Sequence, residues 1–155
     1  MSRGFERISI EQQLEDLGNV MDIKLPKRAT AKSAGYDFYV PYSFSLKPSE
    51  EIKLPTGIKA YMQEDEILKI HPRSSLGFSY YARLANSCGI IDADYYDNEN
   101  NEGHIWIKLR NESEDKFLEI ERGEAIAQGI FHKYLIVDDD DFEGEERKGG
   151  IGSTN

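Results

Sequence analysis

Short runs of β-branched and aromatic residues recur along the middle of the chain, and proline or glycine separates them. The runs are Gly35–Val40, Gly57–Met62, Ile67–His71, His104–Leu109, Lys116–Ile120 and Ala125–Val137. The turn signals between them are Pro41, Lys47-Pro48, Pro55-Thr56-Gly57 and Arg122-Gly123. Short strands at this spacing are typical of an antiparallel sandwich or barrel. The pattern therefore predicts an all-β domain.

Little helical pattern is present. Ile10–Leu17 is the exception, with Ser9 placed as its N-cap and Gly18 directly after it. A short helical turn is also expected after Ser74. The polar segment Asp97–Gly103 predicts the tip of a hairpin.

Length and composition bound the class of protein. The 155 residues, 39% of them hydrophobic, suffice for one domain with its own core, which we place at 1–137. Residues 138–155 begin with four aspartates and have little apolar content, so we predict a flexible arm of the same domain. The net charge of −10 argues against sequence-independent nucleic-acid binding, which needs a basic surface.

The chain also lacks the signatures of a membrane or disulfide-bonded protein. No run approaches the roughly 20 apolar residues of a membrane helix. The single cysteine, Cys88, cannot form an internal disulfide. Together these features favour a cytoplasmic setting.

Five polar clusters stand among the predicted strands. They are Ala34–Asp37, Pro72–Ser75, Asn86–Tyr95, Arg122–Gln128 and Arg147–Thr154. The last combines cations and hydroxyls with glycines, which let a backbone wrap closely around phosphate. Together the clusters predict a polyphosphate ligand.

The cluster Asn86–Tyr95 is the most informative. Asn86 offers both a donor and an acceptor to the edge of a base. Asp92 follows two isoleucines, which suits a partly buried carboxylate that holds and deprotonates a water. Tyr95 offers a flat face for a sugar or a base. An ordinary hairpin with polar turn residues explains this segment equally well.

Phosphate contacts are expected from two other clusters. Arg73, Ser74 and Ser75 follow a predicted strand, where their donors suit phosphate oxygens, although an N-cap pair with a surface arginine is the alternative. In the last cluster, Arg147 supplies a fork of donors and hydroxyls follow it, although a frayed terminus is the alternative. Gln128 is a polar exception in an apolar strand and is a further candidate.

Other reactive residues have plainer interpretations. His71, His104 and His132 have no metal-ligand spacing with one another or with Cys88, which disfavours a zinc site. We interpret Cys88 as a small packed residue, because no nearby histidine could activate it. We interpret Asp138–Asp141 as a solvated hinge and not as a Mg²⁺ site.

The order and spacing of the five clusters closely resemble the five motifs of the trimeric dUTPase family. The hairpin Tyr95–Ile105 (YYDNENNEGHI) resembles the version found in Gram-positive bacteria and their phages. The resemblance implies a jelly-roll β-barrel subunit in a homotrimer, with active sites at the subunit interfaces. It also implies hydrolysis of dUTP to dUMP and pyrophosphate with Mg²⁺, the metal being held mainly by the triphosphate and waters.

The resemblance also implies roles for the residues of the hairpin cluster. Asp92 would activate the water that attacks the α-phosphorus. Asn86 and the backbone of the turn from Gly89 to Ile91 would recognise uracil. Tyr95 would lie under the deoxyribose and exclude a 2′-hydroxyl.

Implied contacts to the phosphates come from the remaining clusters. Ser74, Ser75 and Gln128 would contact phosphate oxygens, with Arg73 in support. Asp37 would belong to the water network around the metal, or would simply shape the site. The tail would close over the substrate. The tail residues expected to contact the substrate are Arg147, Ile151, Gly152, Ser153 and Thr154.

The chain departs from the family pattern in the tail. Ile151 occupies the position where the family usually has an aromatic residue that stacks on uracil. Arg147 lies four residues before it, where many members have five. We therefore expect the lid to cover the base by apolar contact.

Two alternatives remain. A dCTP deaminase of the same fold would need a catalytic glutamate at the hairpin and would lack the glycine-rich lid, so Asp92 and the tail favour the dUTPase. A phage-type regulatory protein that binds a repressor is the second alternative. The hairpin insert Asp97–Gly103 and the N-terminal helix would be its interaction surfaces, although the sequence names no partner.

Overall fold

Twelve short strands carry most of the regular structure in the part of the chain that the computed structural model describes, residues 1–20, 22–144 and 147–151. They are β1 Gly4–Arg7, β2 Lys27–Arg28, β3 Tyr36–Tyr39, β4 Phe44–Leu46, β5 Glu51–Pro55, β6 Ile58–Tyr61, β7 Glu66–Pro72, β8 Arg83–Leu84, β9 Gly89–Asp92, β10 Trp106–Arg110, β11 Leu118–Ile120 and β12 Ala125–Lys133. Two helices, α1 Ile10–Asp16 and α2 Ser74–Tyr80, and a 3₁₀ turn at Ala93–Tyr95 complete the fold. The predicted all-β class is confirmed.

All the strand pairings are antiparallel, and the largest sheet has the order β2-β3-β12-β7-β9. The three smaller sheets pair β5-β10-β8, β1-β6 and β11-β4. Buried and partly exposed residues alternate along β7, which places Leu68 and Ile70 in the core. Ile105, Leu109 and Leu118 are fully buried in the same core cluster. One core therefore connects the sheets.

Several strands lie where the sequence pattern predicted turns or made no prediction. The strands β1, β2, β4, β5, β8 and β9 are short, and all of them except β5 pair over only two to four residues. The prediction for the last strand, Ala125–Val137, was too long, because β12 ends at Lys133. Lys133 pairs with Glu66, the first residue of β7, and only one further backbone hydrogen bond follows, from the Tyr134 N–H to the Asp65 carbonyl at 3.2 Å. Leu135, Ile136 and Val137 are accordingly exposed.

The helix α1 forms at the predicted place. The Ser9 side chain accepts a hydrogen bond from the backbone N–H of Gln12 at 3.1 Å, which confirms the N-cap. Ser9 also donates from its backbone and its hydroxyl to the carboxylate of Glu102 in the predicted hairpin. The start of α1 is thereby fixed to that hairpin. Neither α1 nor α2 is long or apolar enough to cross a membrane, within the part of the chain described.

Candidate active site

A cavity of about 210 Å³ opens beside β9. Its lining combines apolar residues of the sheets with polar residues of the hairpin and with the tail. The lining residues are Ile70, Leu84, Asn86, Gly89, Ile90, Ile91, Asp92, Tyr95, Trp106, Ile107, Lys108, Arg147, Gly150 and Ile151. Seven residues that the sequence singled out therefore share one cavity, and we call them the β9 site: Asn86, Gly89, Ile91, Asp92, Tyr95, Arg147 and Ile151.

A tight turn forms the floor of the cavity on the side of Asn86. Ser87 has a positive φ of 64°, and Cys88 donates its N–H to the Asn86 carbonyl at 2.7 Å. Gly89 pairs with Ile70 of β7, and a Cβ at Gly89 would lie 3.2 Å from the Ile70 Cβ and 3.9 Å from Asn86 Nδ2. Because Gly89 has no side chain, its backbone can lie close to the Ile70 side chain of β7, with the Asn86 amide on the same side. An amide and a strand backbone thus face the same space.

Tyr95 is held by hydrogen bonds at both ends. Its side chain is buried, and its hydroxyl donates to the His104 carbonyl at 2.6 Å and accepts from Asn101 Nδ2 at 2.9 Å. Asn98 Nδ2 donates to the Tyr95 carbonyl at 2.7 Å. Burial raises the pKa of the phenol, so the hydroxyl keeps its proton as a donor. The orientation of the ring is therefore fixed by the hairpin that follows it.

Asp92 lies at the mouth of the cavity with two charged neighbours. Its carboxylate is 45% exposed and forms an ion pair with the Arg147 guanidinium at 2.5 Å. Arg147 also donates from Nε to Asp94 Oδ1 at 2.9 Å. Asp92 is consequently open to water on one side and next to a cation on the other. A carboxylate in this environment can accept a proton from a bound water.

The described part of the tail lies against Tyr95. A Cβ at Gly150 would overlap the Tyr95 ring, so only a glycine permits this approach of the tail backbone. The next residue, Ile151, lines the cavity and has a positive φ of 52°. Gly152, Ser153 and Thr154, which the sequence also singled out, lie outside the described residues.

The other predicted residues form a second group, the β7 cluster: Asp37, Arg73, Ser74, Ser75 and Gln128. Arg73 directly follows β7, and its Nε lies 3.4 Å from Asp37 Oδ1. Gln128 pairs with Asp37 across β12 and β3, and the Asp37 side chain is largely buried. Ser74 and Ser75 are exposed in the first turn of α2. This cluster offers a cation, an amide and two hydroxyls on one surface.

No hydrogen bond or ion pair of the described residues joins the β9 site to the β7 cluster. Strand β7 runs between them, because it pairs with β12 on one side and with β9 on the other. Each group therefore has a separate surface in the single subunit.

One alternative for covering the base gains support and one expectation fails. Trp106, which with Phe142 is the aromatic alternative to Ile151 for covering the base, lines the cavity and lies on the same face of β10 as Lys108, away from the buried Ile107 and Leu109. Cys88 Sγ lies 3.9 Å from His71 Nε2, so the expectation that no histidine neighbours Cys88 was wrong. The pairing of Ile70 with Gly89 brings the two residues together. In the described residues, no group of three or more His, Cys, Asp or Glu side chains could hold a metal ion.

Comparison with known proteins identifies relatives of this chain. A model of the dUTPase family matches residues 21–155. The deoxyuridine 5′-triphosphate nucleotidohydrolase of Lactococcus lactis is 43% identical over 153 residues, which cover 98% of this chain and 97% of that protein. The crystal structure of the dUTPase from Streptococcus mutans has a TM-score of 0.69 and 39% identity, covering 87% of this chain and 98% of that one.

A solved structure of lower sequence identity shares the fold. A variant of the dUTPase from phage phi11 of S. aureus, whose structure reveals the coordination of a structural Mg(II) ion, has a TM-score of 0.66. It is 16% identical and covers 93% of this chain and 98% of that one.

Proposed function

The chain belongs to the dUTPase family, and from this premise we propose how its β9 site hydrolyses dUTP to dUMP and pyrophosphate. The observation that carries the proposal is one cavity of about 210 Å³ that brings together Asn86, Asp92, Tyr95 and Arg147. An amide for a base, an aromatic face for a sugar, a carboxylate for a water and a cation for phosphate are the groups this reaction needs. The reaction would keep uracil out of DNA and supply dUMP for dTMP synthesis.

Uracil would enter the apolar part of the cavity. The Asn86 amide and the backbone of Gly89 and Ile91 would bind its edge, because together they present both donors and acceptors. The close approach of the Gly89 backbone to Ile70 supports a narrow pocket that leaves no room for a 5-methyl group. Tyr95, fixed through its hydroxyl, would lie under the deoxyribose and exclude a 2′-hydroxyl.

Asp92 would be the general base. Its half-exposed carboxylate would orient a water and accept its proton as the water attacks the α-phosphorus and pyrophosphate leaves. Phosphoryl transfer depends on positioning and on stabilising charge more than on covalent chemistry. Arg147 would move its guanidinium from Asp92 and Asp94 to the γ-phosphate when the substrate binds.

A Mg²⁺ ion fits this donor set as part of the bound substrate. Mg²⁺ commonly retains several waters and binds through substrate phosphates with one or two carboxylates. The metal would be held mainly by the triphosphate and waters. Asp37 would contact the ion through water, and the ion would neutralise the charge that develops on the phosphates.

We further propose a homotrimer, in which the β7 cluster of one subunit completes the β9 site of another. The separation of the two groups within one chain supports this arrangement, because phosphate ligands are needed beside Asp92. Arg73, Ser74, Ser75 and Gln128 would then supply donors across an interface. Exposed apolar side chains on Leu135, Ile136 and Val137, which are 96%, 66% and 67% exposed, support contacts between subunits. Sedimentation equilibrium tests this directly, and a monomer would contradict it.

The tail would act as a lid on a domain formed by residues 1–137. The approach of Gly150 to Tyr95 supports closure of residues 138–155 over the site, with Gly152, Ser153 and Thr154 around the γ-phosphate. Lid closure would exclude bulk water from the reaction. A pool of deoxynucleoside triphosphates as substrate, together with the lone Cys88, supports a cytoplasmic enzyme.

One assay tests the proposed reaction. The protein is incubated with each deoxynucleoside triphosphate and with UTP, with and without Mg²⁺, while pyrophosphate and ammonia are measured. We expect pyrophosphate from dUTP with strong preference over dTTP and UTP, and dependence on Mg²⁺. Comparable turnover of UTP would contradict the site assignment, and ammonia release from dCTP would indicate the deaminase alternative.

A further inference from the structure

A fully buried histidine connects the N-terminal helix to the β9 site. His104 is inaccessible to solvent, and its Nδ1 lies 2.6 Å from Asp16 Oδ2. Its Nε2 accepts the backbone N–H of Gly57 at 2.8 Å. Because Nε2 accepts, the proton of the neutral ring is on Nδ1 and is donated to Asp16. The two hydrogen bonds fix both the orientation and the tautomer of the ring.

From His104, two contacts lead to the cavity. Its carbonyl accepts the hydroxyl of Tyr95 at 2.6 Å. Its ring packs on the Trp106 ring with centroids 5.1 Å apart. Tyr95 and Trp106 both line the 210 Å³ cavity. A displacement of His104 would therefore move two walls of the site together.

The position of Asp16 is not explained by the helix itself. Asp16 is the last residue of α1, where the partial negative charge of the helix C-terminus disfavours a carboxylate. None of the residues of α1 is buried, so the helix contributes little to the core. The Asp16 carboxylate instead accepts from Gln12 at 2.9 Å and from His104. The hydrogen bond from the buried His104 therefore offsets the unfavourable position of Asp16 at the helix C-terminus.

We propose that Asp16 is a positioning residue, which through His104 holds Tyr95 and Trp106 in place and so sets the discrimination of deoxyribose from ribose. This inference rests on the proposed function, in which Tyr95 excludes a 2′-hydroxyl. Steric exclusion of one hydroxyl requires a ring that does not shift, and a ring is rigid only when its supporting contacts are fixed.

Three substitutions on α1 test the proposal. Asp16→Ala removes the acceptor for His104, Asp16→Asn retains an acceptor, and Glu15→Ala is the matched control. Glu15 is exposed and lies in the same last turn, so its replacement removes the same charge from the same helix end. The readout is kcat/KM for dUTP divided by kcat/KM for UTP. We expect this ratio to fall on the order of tenfold in Asp16→Ala, a size within the effects of misplaced site residues, and to be retained in the other two variants.

A second readout does not depend on activity. Trp106 is the only tryptophan in the chain, so its fluorescence reports on its packing against His104. Asp16→Ala should shift the emission, whereas Asp16→Asn and Glu15→Ala should not. If the wild type fails to hydrolyse dUTP, the proposed function is wrong, while the emission still reports whether Asp16 holds Trp106 through His104.

An unchanged ratio of kcat/KM for dUTP to kcat/KM for UTP in Asp16→Ala would contradict the inference. This holds even if the melting temperature falls, because that pattern indicates a purely structural role. An equal fall in Glu15→Ala also contradicts it. If Asp16→Ala does not fold, Asp16→Glu replaces it, since it keeps the charge and displaces the carboxylate by one methylene. The ratio should then fall by a smaller factor, and an unchanged ratio counts against the proposal.

Discussion

Arg147 forms an ion pair with Asp92 across 55 residues of sequence. This contact places a cation from the tail on the carboxylate that we propose as the general base. It also lies at the mouth of the cavity, next to the point where phosphates would enter. The substrate phosphates and Asp92 would therefore compete for the Arg147 guanidinium. The position of the tail would then depend on whether substrate is bound.

The role of Asp92 is tested by Asp92→Asn. The amide keeps the shape of the side chain but cannot accept the proton, so we expect kcat to fall on the order of 10²–10⁴-fold. Binding of dUTP, measured by titration calorimetry, should be retained. Asp94→Asn is the matched control, because Asp94 also binds Arg147 but is not assigned as the base. Similar losses in both variants would indicate that the charge around Arg147, and not a base, limits the reaction.

The role of the tail is tested by truncation after Asp141. Among the described residues that the truncation removes, only Gly149 is buried and the others are exposed or half-buried, so the truncation should change the melting temperature of the ligand-free protein little. Turnover should collapse, because Arg147 and the Gly150 backbone against Tyr95 are removed. Arg147→Ala in the full-length chain separates the loss of the cation from the loss of the lid. If truncation instead unfolds the protein or dissociates its oligomer, the segment is part of the packed structure and the lid hypothesis is wrong.

Ile151 is expected to cover the base by apolar contact. Ile151→Phe should bind a non-hydrolysable dUTP analogue at least as tightly, since base–aromatic stacking contributes roughly 1–3 kcal/mol in single-stranded nucleic-acid sites. Ile151→Gly should weaken binding and turnover. The positive φ of 52° suits glycine, so this variant removes the side chain without adding backbone strain.

An alternative is that another aromatic residue covers the base. Phe142 is 77% exposed and does not line the cavity, whereas Trp106 does. Trp106→Leu therefore serves as the comparison. No change in either Ile151 variant, together with weaker binding in Trp106→Leu, would assign the contact to Trp106.

The sequence predicted local features of the site better than distant contacts. Asn86, Asp92 and Tyr95 lie within ten residues of one another, so one turn and one short strand bring them together. The contact between Asp16 and His104 spans 88 residues, and no periodicity in the sequence indicates it. The pairing of β1 with β6 places α1, and the hairpin before His104 places the histidine. Both placements are properties of the assembled sheets.

Strand register explains the contact between His71 and Cys88. These residues are 17 positions apart, and they meet only because β7 and β9 pair antiparallel with Ile70 opposite Gly89. The sequence pattern missed β9, so this register could not be inferred. Short strands of four residues give too few alternating positions to distinguish them from polar turns.

The buried His104 predicts how stability depends on pH. Burial lowers its pKa, and the carboxylates of Asp16 on α1 and Glu102 in the hairpin only partly oppose this shift. The unfolded chain, with an ordinary histidine pKa of about 6.5, then binds more protons than the folded chain at mildly acidic pH. Stability from this residue is present above pH about 6.5 and is lost as the pH falls toward the folded pKa.

We therefore expect the free energy of unfolding, measured in urea at fixed protein concentration, to decrease from pH 7.5 to pH 5.5. The slope for one proton reaches at most about 1.4 kcal/mol per pH unit. Hydrogen bonds from arginines lower the pKa values of Glu66 and Glu112, so their contribution is lost only below pH about 4.3, outside this window.

His104→Asn should be less stable at pH 7.5 but should have a flatter pH dependence. His132→Asn, at an exposed position of β12, should keep the wild-type slope, and a wild-type protein that gains stability on acidification would show that His104 is charged in the fold.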